Sequence, residues 1–402
     1  MRSMSVFYFD RMIIGFSSRV AVSAGTLGLA GLLTLMPTAM ADSGGAEPTP
    51  PGGPRAAAPH PSLLYRPGTQ VRPRTAVARL PEVSALSWLV ADARTGEVLA
   101  AHNAHRKLPP ASTLKTLFAL TVLPGLPAGV RHTVRERELR GIGAGSSLVG
   151  VAEGRTYRIS DLWRGVFLNS GNDAVHVLAE LNGGWQVTAR RMQAKARSLG
   201  ARDTHVVSPD GYDAPGQVSS AYDLAVFGRV GLRNPDFARY CATVEARFPG
   251  GGDLSYPILN TNRLLSGAKG VKPYRGLIGI KNGYTSKAGN TLVAAARRDG
   301  RTLVVTVMNP QDGGGSAVYE EARSLLDWGF LSAGRVEAVG SLGTPGTSAR
   351  PAATTPPAVA AAVPEEHGSV WTEAGMIAGA AGTGAAVVVL VLRLPVRRPR
   401  RS

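Results

Sequence analysis

The sequence predicts a mixed α/β protein of the α+β kind. An antiparallel sheet is flanked by helices, an all-helical subdomain is inserted between its strands, and a single transmembrane helix stands near the C-terminus. Three observations predict it. Hydrophobic spacing along the 402 residues changes from two to 3.6 and back to two. Two Pro- and Gly-rich stretches bracket a central block of about 250 residues, enough for one large domain. An uncharged apolar run followed by arginines lies near the end.

Residues 1–41 read as an export signal. Arg2, Arg11 and Arg19 precede an apolar run, and Ala39-Met40-Ala41 is a small-x-small cleavage site. Residues 42–80 carry Pro48, Pro50, Pro51, Pro54, Pro59 and Pro61 among Gly and Ala, a composition expected of an extended spacer. The globular domain is expected over 81–332. It opens with two short strands, 86–91 and 97–101, around a turn at Arg94-Thr95-Gly96. From Ser112 the period is helical, with Leu114, Leu117, Phe118 and Val122 on adjoining faces. Residues 159–168, 173–181, 187–199 and 221–230 continue as helices. Strand spacing returns at 277–281, 291–296 and 303–308, with Asp299-Gly300 as a hairpin turn, and 317–330 close the domain as an amphipathic helix. The first and last strands are expected to pair.

Residues 333–372 repeat the Pro/Ala character and read as a stalk; 373–393 read as the membrane-crossing helix and 394–402 as a basic cytoplasmic tail. The run 374–392 would span roughly 28 Å as a helix, about the thickness of a bilayer core. The expected location is therefore extracytoplasmic, anchored in the cell membrane by that helix. Net charge is +17. The signal's three arginines and one aspartate, Arg393 and the tail's four arginines account for seven, leaving +10 on the exported part. That balance suits an anionic cell envelope. No basic cluster interleaved with aromatics points to nucleic acid. Cys241, the single cysteine, forms no internal disulfide and reads as a small buried hydrophobe.

Three short pieces carry candidate chemistry. Ser112-Thr113-Leu114-Lys115 places a hydroxyl and an amine three residues apart at a helix start, within reach of each other. Burial would depress the lysine pKa, freeing an amine able to take the serine proton. Ser266-Gly267-Ala268-Lys269 has the same spelling but sits in a Gly-rich loop with no helix to align it. Ser170-Gly171-Asn172 lies between two helices, where its hydroxyl could relay a proton; both side chains are also good helix caps. Lys281-Asn282-Gly283 ends an apolar strand and offers a cation beside backbone donors, suited to an extended peptide ending in a carboxylate.

Taken in order, these pieces resemble the S-x-x-K, S-x-N and K-T-G motifs of the serine DD-peptidases that bind penicillin, specifically the low-molecular-mass D-alanyl-D-alanine carboxypeptidases. The two serines stand 58 residues apart and the lysine follows 111 residues later. Ser208-Pro209-Asp210-Gly211 and Asn260-Thr261-Asn262-Arg263-Leu264-Leu265 share the family's wording too. The resemblance implies a DD-peptidase/β-lactamase-like fold and no cofactor or metal. It implies that Ser112 attacks the D-Ala-D-Ala bond, that Lys115 is the base, and that Ser170 and Lys281 help the leaving amine. Asn172 would hold the acyl side chain, with the N–H groups of Ser112 and Tyr284 as oxyanion hole. Asn282, Gly283, Thr285 and Arg263 would contact substrate. The implied partners are a peptidoglycan stem peptide ending in D-Ala-D-Ala and β-lactam antibiotics; the oligomeric state is open. Asn282 departs from the family's usual Thr, which bears on substrate affinity.

Two other readings stay open at this point. A β-lactamase-like hydrolase needs a deacylating glutamate, for which Glu180 is the nearest candidate. A membrane-tethered penicillin sensor with weak turnover would keep the nucleophile and both lysines. A zinc site at His102 and His105 is disfavoured because no Glu motif neighbours them.

Overall fold

The computed structural model describes residues 62–74 and 76–343. A short strand, β1 (Thr69–Pro73), precedes the expected hairpin of β2 (Ser87–Asp92) and β3 (Glu97–His102). The helical block follows: α1 (Lys115–Val122), a small β4 (Arg131–Thr133)/β5 (Thr156–Arg158) ladder, α2 (Ile159–Leu168), α3 (Asn172–Leu181), α4 (Trp185–Ser198), α5 (Ala221–Gly231) and α6 (Pro235–Ala242). A second hairpin, β6 (Glu245–Gly251) and β7 (Leu254–Leu259), and the single turn α7 (Arg263–Ser266) lead back to the sheet. There β8 (Leu277–Thr285), β9 (Gly289–Arg298) and β10 (Arg301–Met308) run antiparallel, followed by α8 (Ala317–Ser332), β11 (Val336–Glu337) and β12 (Gly340–Ser341).

The sheet order is β11-β1-β3-β2-β10-β9-β8, with β12 beside β3. First and last strands pair as expected, β2 against β10 with Val90 opposite Val305. The β9–β10 turn has both Asp299 (φ 48°) and Gly300 (φ 74°) left-handed, the geometry that suits a two-residue hairpin.

Alternation along the strands sorts the core into two. Leu89, Ala91, Val293, Ala295 and Val304 face the helical block, where they meet Leu117, Phe118, Leu224 and Phe227. Trp88, Val90, Leu292, Ala294 and Val305 face α8, which presents Val318, Ala322, Leu325 and Leu326 at helical spacing. The central strands are therefore buried on both sides. Each large apolar side chain buried this way is worth about 1.5–3 kcal/mol.

Two expectations are corrected. The stretch assigned to a spacer, 42–80, contains β1, whose Thr69 and Val71 pair with His102 and Ala100; the stretch assigned to the stalk contains β11 and β12. The globular part thus begins before residue 81 and ends after 332. These strands are short and largely exposed at the rim of the sheet, so composition alone did not mark them. The single C-terminal transmembrane helix is also struck from the fold class. No helix among the described residues is long and apolar enough to cross a membrane. The run 374–392 on which it rested lies outside the described residues, as do 1–41, and much of that run is Gly and Ala, which favour the bilayer only weakly.

Candidate active site

Pro110 ends a loop, and Ala111–Leu114 form a 3-10 turn that runs straight into α1. An α-helical turn was the expectation; the tighter turn aligns side chains at i and i+3 still better. Lys115 Nζ lies 2.7 Å from Ser112 Oγ. Ala111, just before the nucleophile, is left-handed at φ 49°, a conformation that costs a non-glycine residue on the order of 1 kcal/mol or more. Gly211 packs onto this turn, where any Cβ would collide with the Ala111 carbonyl oxygen.

Ser170 occupies the turn between α2 and α3, also left-handed at φ 58°, with its Oγ 3.4 Å from Lys115 Nζ. Neither Ser170 nor Asn172 caps α3; the N-cap is Gly171. Asn172 Nδ2 instead donates to Asp210 Oδ2 at 2.9 Å and Ser146 Oγ at 3.0 Å, while its buried Oδ1 has no partner among the described residues. That acceptor is free for a substrate N–H. Asp173 anchors the facing loop by accepting from the backbone N–H groups of Val149, Gly150 and Val151.

β8 is the edge strand of the sheet, and its alternation decides which side chains enter the site. Lys281, opposite Val293, faces the helical block, and its Nζ donates to the Asn282 carbonyl at 2.8 Å. Gly283 lies against the nucleophile's turn: a Cβ there would stand 2.7 Å from Ser112 N. Asn282, opposite Leu292, faces α8 instead.

Both lysines are 1% exposed. Burial pushes the Lys115 pKa down to about 8, against the upward pull of Asp210 and Asp173. Burial and the repulsion of Lys115 push Lys281 well below the ordinary lysine value. The pair therefore holds an amine that is readily neutral near physiological pH, which is what a base for a serine hydroxyl requires. Burial pushes the Cys241 thiol up, leaving it the inert buried hydrophobe expected of it.

A cleft of about 220 Å³ opens over Ser112, lined also by Ser146, Asn172, Tyr212, Tyr284 and Thr285. Tyr284 is 68% exposed at its rim. Three predicted substrate contacts are differently employed. The Thr285 hydroxyl donates to Asp213 at 2.7 Å, tying β8 to the 207–219 loop. Arg263 does not line the cleft; its guanidinium stacks over Tyr319 and donates to the Gly315 carbonyl. The Asn282 amide accepts from Thr261 Oγ1 at 2.9 Å and donates to Tyr319 Oη at 3.2 Å, which orients it toward α8. Asn282→Ala is accordingly expected to lower stability by about 1–3 kcal/mol, because Thr261 loses its acceptor beside the packed Tyr319. Acylation of Ser112 should be nearly unchanged; chemical denaturation alongside penicillin labelling checks both.

Ser146, Asp210, Tyr212 and Asp213 escaped sequence reasoning as site residues. Only Asp210 carried a signal, the Ser208-Pro209-Asp210-Gly211 run. Glu180 is exposed on α3 and does not line the cleft. His102 bonds to Thr69 and His105 to Asp203.

A sequence profile of the peptidase S11 family, described as D-alanyl-D-alanine carboxypeptidase, matches residues 74–312. D-alanyl-D-alanine carboxypeptidase DacB2 of Mycobacterium tuberculosis is 41% identical over 254 residues, covering 62% of this chain and 84% of that protein. The crystal structure of a D-alanyl-D-alanine carboxypeptidase from M. tuberculosis H37Rv is similar with a TM-score of 0.61 and 38% identity, covering 68% of this chain and 100% of the other. Penicillin-binding protein 6B of Escherichia coli is similar with a TM-score of 0.57 and 33% identity, covering 63% and 79%.

Proposed function

This chain belongs to the peptidase S11 family of serine-type D-alanyl-D-alanine carboxypeptidases, and from that membership we propose that its substrate is the peptidoglycan stem pentapeptide and that penicillin acylates the same serine. The observation that carries the reading is Lys115 Nζ at 2.7 Å from Ser112 Oγ, with the lysine pKa brought to about 8.

Neutral Lys115 takes the Ser112 proton as Oγ adds to the carbonyl carbon of the penultimate D-alanine. The N–H groups of Ser112 and Tyr284 hold the developing oxyanion, and the free Asn172 Oδ1 accepts from the bound peptide. As the tetrahedral species collapses, the C–N bond breaks, and the proton passes from Lys115 by way of Ser170 to the departing D-alanine amine. Water then attacks the acyl-serine with Lys115 again as base. The substrate's terminal carboxylate favours the protonated form of Lys281, whose burial otherwise disfavours it. A β-lactam places its strained amide where the scissile bond would lie. The amine freed from a β-lactam ring stays tethered to the acyl group and blocks the path that water takes once D-alanine has left, and among the described residues the one carboxylate lining the cleft, Asp213, is held by Thr285 and the Lys287 N–H, so the penicilloyl-enzyme is expected to persist. A wall substrate means action outside the cytoplasm.

The test is release of D-alanine from a diacyl-Lys-D-Ala-D-Ala peptide by the full chain, with fluorescent penicillin labelling in parallel. Both should vanish in Ser112→Ala. Labelling without release would favour a sensor, and fast penicillin turnover a β-lactamase-like hydrolase.

A further inference from the structure

A second and larger cavity, about 750 Å³ and open to solvent on one side, is bordered by the β2–β3 turn, the β9–β10 hairpin and the C-terminal end of α5. Ile278 of β8 lines it, whereas Tyr284, six residues or roughly 20 Å further along the strand, lines the catalytic cleft. Five arginines face this cavity: Arg94, Arg229, Arg233, Arg297 and Arg301. Among the described residues, only Asp92 and Asp299 oppose them. Asp92 is buried and already committed, accepting from the N–H groups of Arg94 and Thr95 and pairing with Arg301 at 3.1 Å. Arg229 is held in place by the carbonyls of Ala93 and Arg94, and Arg297 donates to Thr302. The guanidinium groups of Arg94 and Arg233 have no partner among the described residues. Burial and the nearby charge of Arg233 both lower the pKa of Arg229, so this end of the sheet is short of negative charge.

We propose that this cavity binds a small polyanion of the phosphate class, carrying two or more phosphate or phosphodiester groups. Planar guanidinium forks grip phosphate oxygens in pairs. The lining carries an excess of three positive charges, which one compact phosphate chain can match and a single carboxylate cannot. The volume falls within the range of small-molecule sites and exceeds what one phosphate would fill. The site is separate from the peptidase chemistry and does not depend on the substrate proposed above.

Tripolyphosphate is the probe, titrated calorimetrically into the full chain at low salt. One-to-one binding is expected, weakened about tenfold or more in the double variant Arg94→Ala/Arg233→Ala. Both side chains are exposed, so the variant should fold, and unchanged penicillin labelling of Ser112 verifies that. Absence of heat with the parent chain, or equal affinity in the variant, overturns the proposal. Citrate binding as tightly as tripolyphosphate overturns the phosphate class. Arginine-dependent sedimentation with anionic phospholipid vesicles, without tripolyphosphate binding, overturns a small-molecule site in favour of a lipid surface.

Discussion

Lys115→Met is expected to slow acylation of Ser112 by about a hundredfold to ten-thousandfold, the usual contribution of a positioned general base. The same change should make the fold more stable at neutral pH. Folded Lys115 titrates near 8 and an ordinary lysine near 10.5. Between those values the unfolded chain binds the extra proton, so stability of the parent rises with pH across that window. Below pH 8 the burial penalty is present in full, roughly 3 kcal/mol at about 1.4 kcal/mol per unit. Losing the bonds to Ser112 and Ser170 offsets part of it, leaving a gain of about 1–3 kcal/mol for methionine at pH 7 that fades by about pH 10.5. Asp210 and Asp173 keep their other hydrogen-bond donors, so the variant strands neither carboxylate. Urea melts at pH 7 and pH 10 with stopped-flow acylation decide it. Equal stability of parent and variant at both pH values would remove the premise of a strained, readily neutral amine. The acylation rate of the parent should itself rise with pH and level above about 8, because the neutral amine is the active form.

The second large effect is expected from Gly283→Ala. Its added methyl would stand 2.7 Å from Ser112 N, 2.8 Å from Thr291 Oγ1 and 3.0 Å from Ala111 Cβ. The first of these is a backbone atom on a turn pinned by Gly211 and by the Thr291 bond to the Pro110 carbonyl, so it cannot yield cheaply. Displacing that N–H removes one arm of the proposed oxyanion hole, a loss of about 10²–10³ in acylation. The pKa of Lys115 should hardly move, so the pH profile keeps its midpoint while its height falls. A shifted midpoint at unchanged height would show that Gly283 acts through the lysine instead.

Much of this was readable from local pattern. The β2–β3 and β9–β10 hairpins, α2, α5 and α8 follow from alternation, turn residues and helical spacing, which depend only on near neighbours in the chain. The β6–β7 hairpin and β1 were not, because Pro249, Pro257 and Gly250 in the one and Pro73 in the other read as loop when pairing partners are unknown. Ser112, Lys115, Ser170, Asn172 and Lys281 were each identified by a motif; Lys115 reaches both serines, Asn172 lines the cleft with Ser112, and Gly283, two residues beyond Lys281, packs on the Ser112 turn.

What the chain's order of residues determined by itself is the chemistry available: a hydroxyl three positions before an amine, a glycine where a strand must approach a turn, and the family those spellings belong to. What only the folded structure decided is how each group is used. Asn282 turned toward Tyr319 rather than the cleft because alternation on an edge strand assigns every second side chain to the opposite face. The Lys115 amine is readily neutral because the packing of α1 against the sheet and helices excludes water around it. Solvent exclusion depends on residues far apart in sequence, so no local spelling could report it.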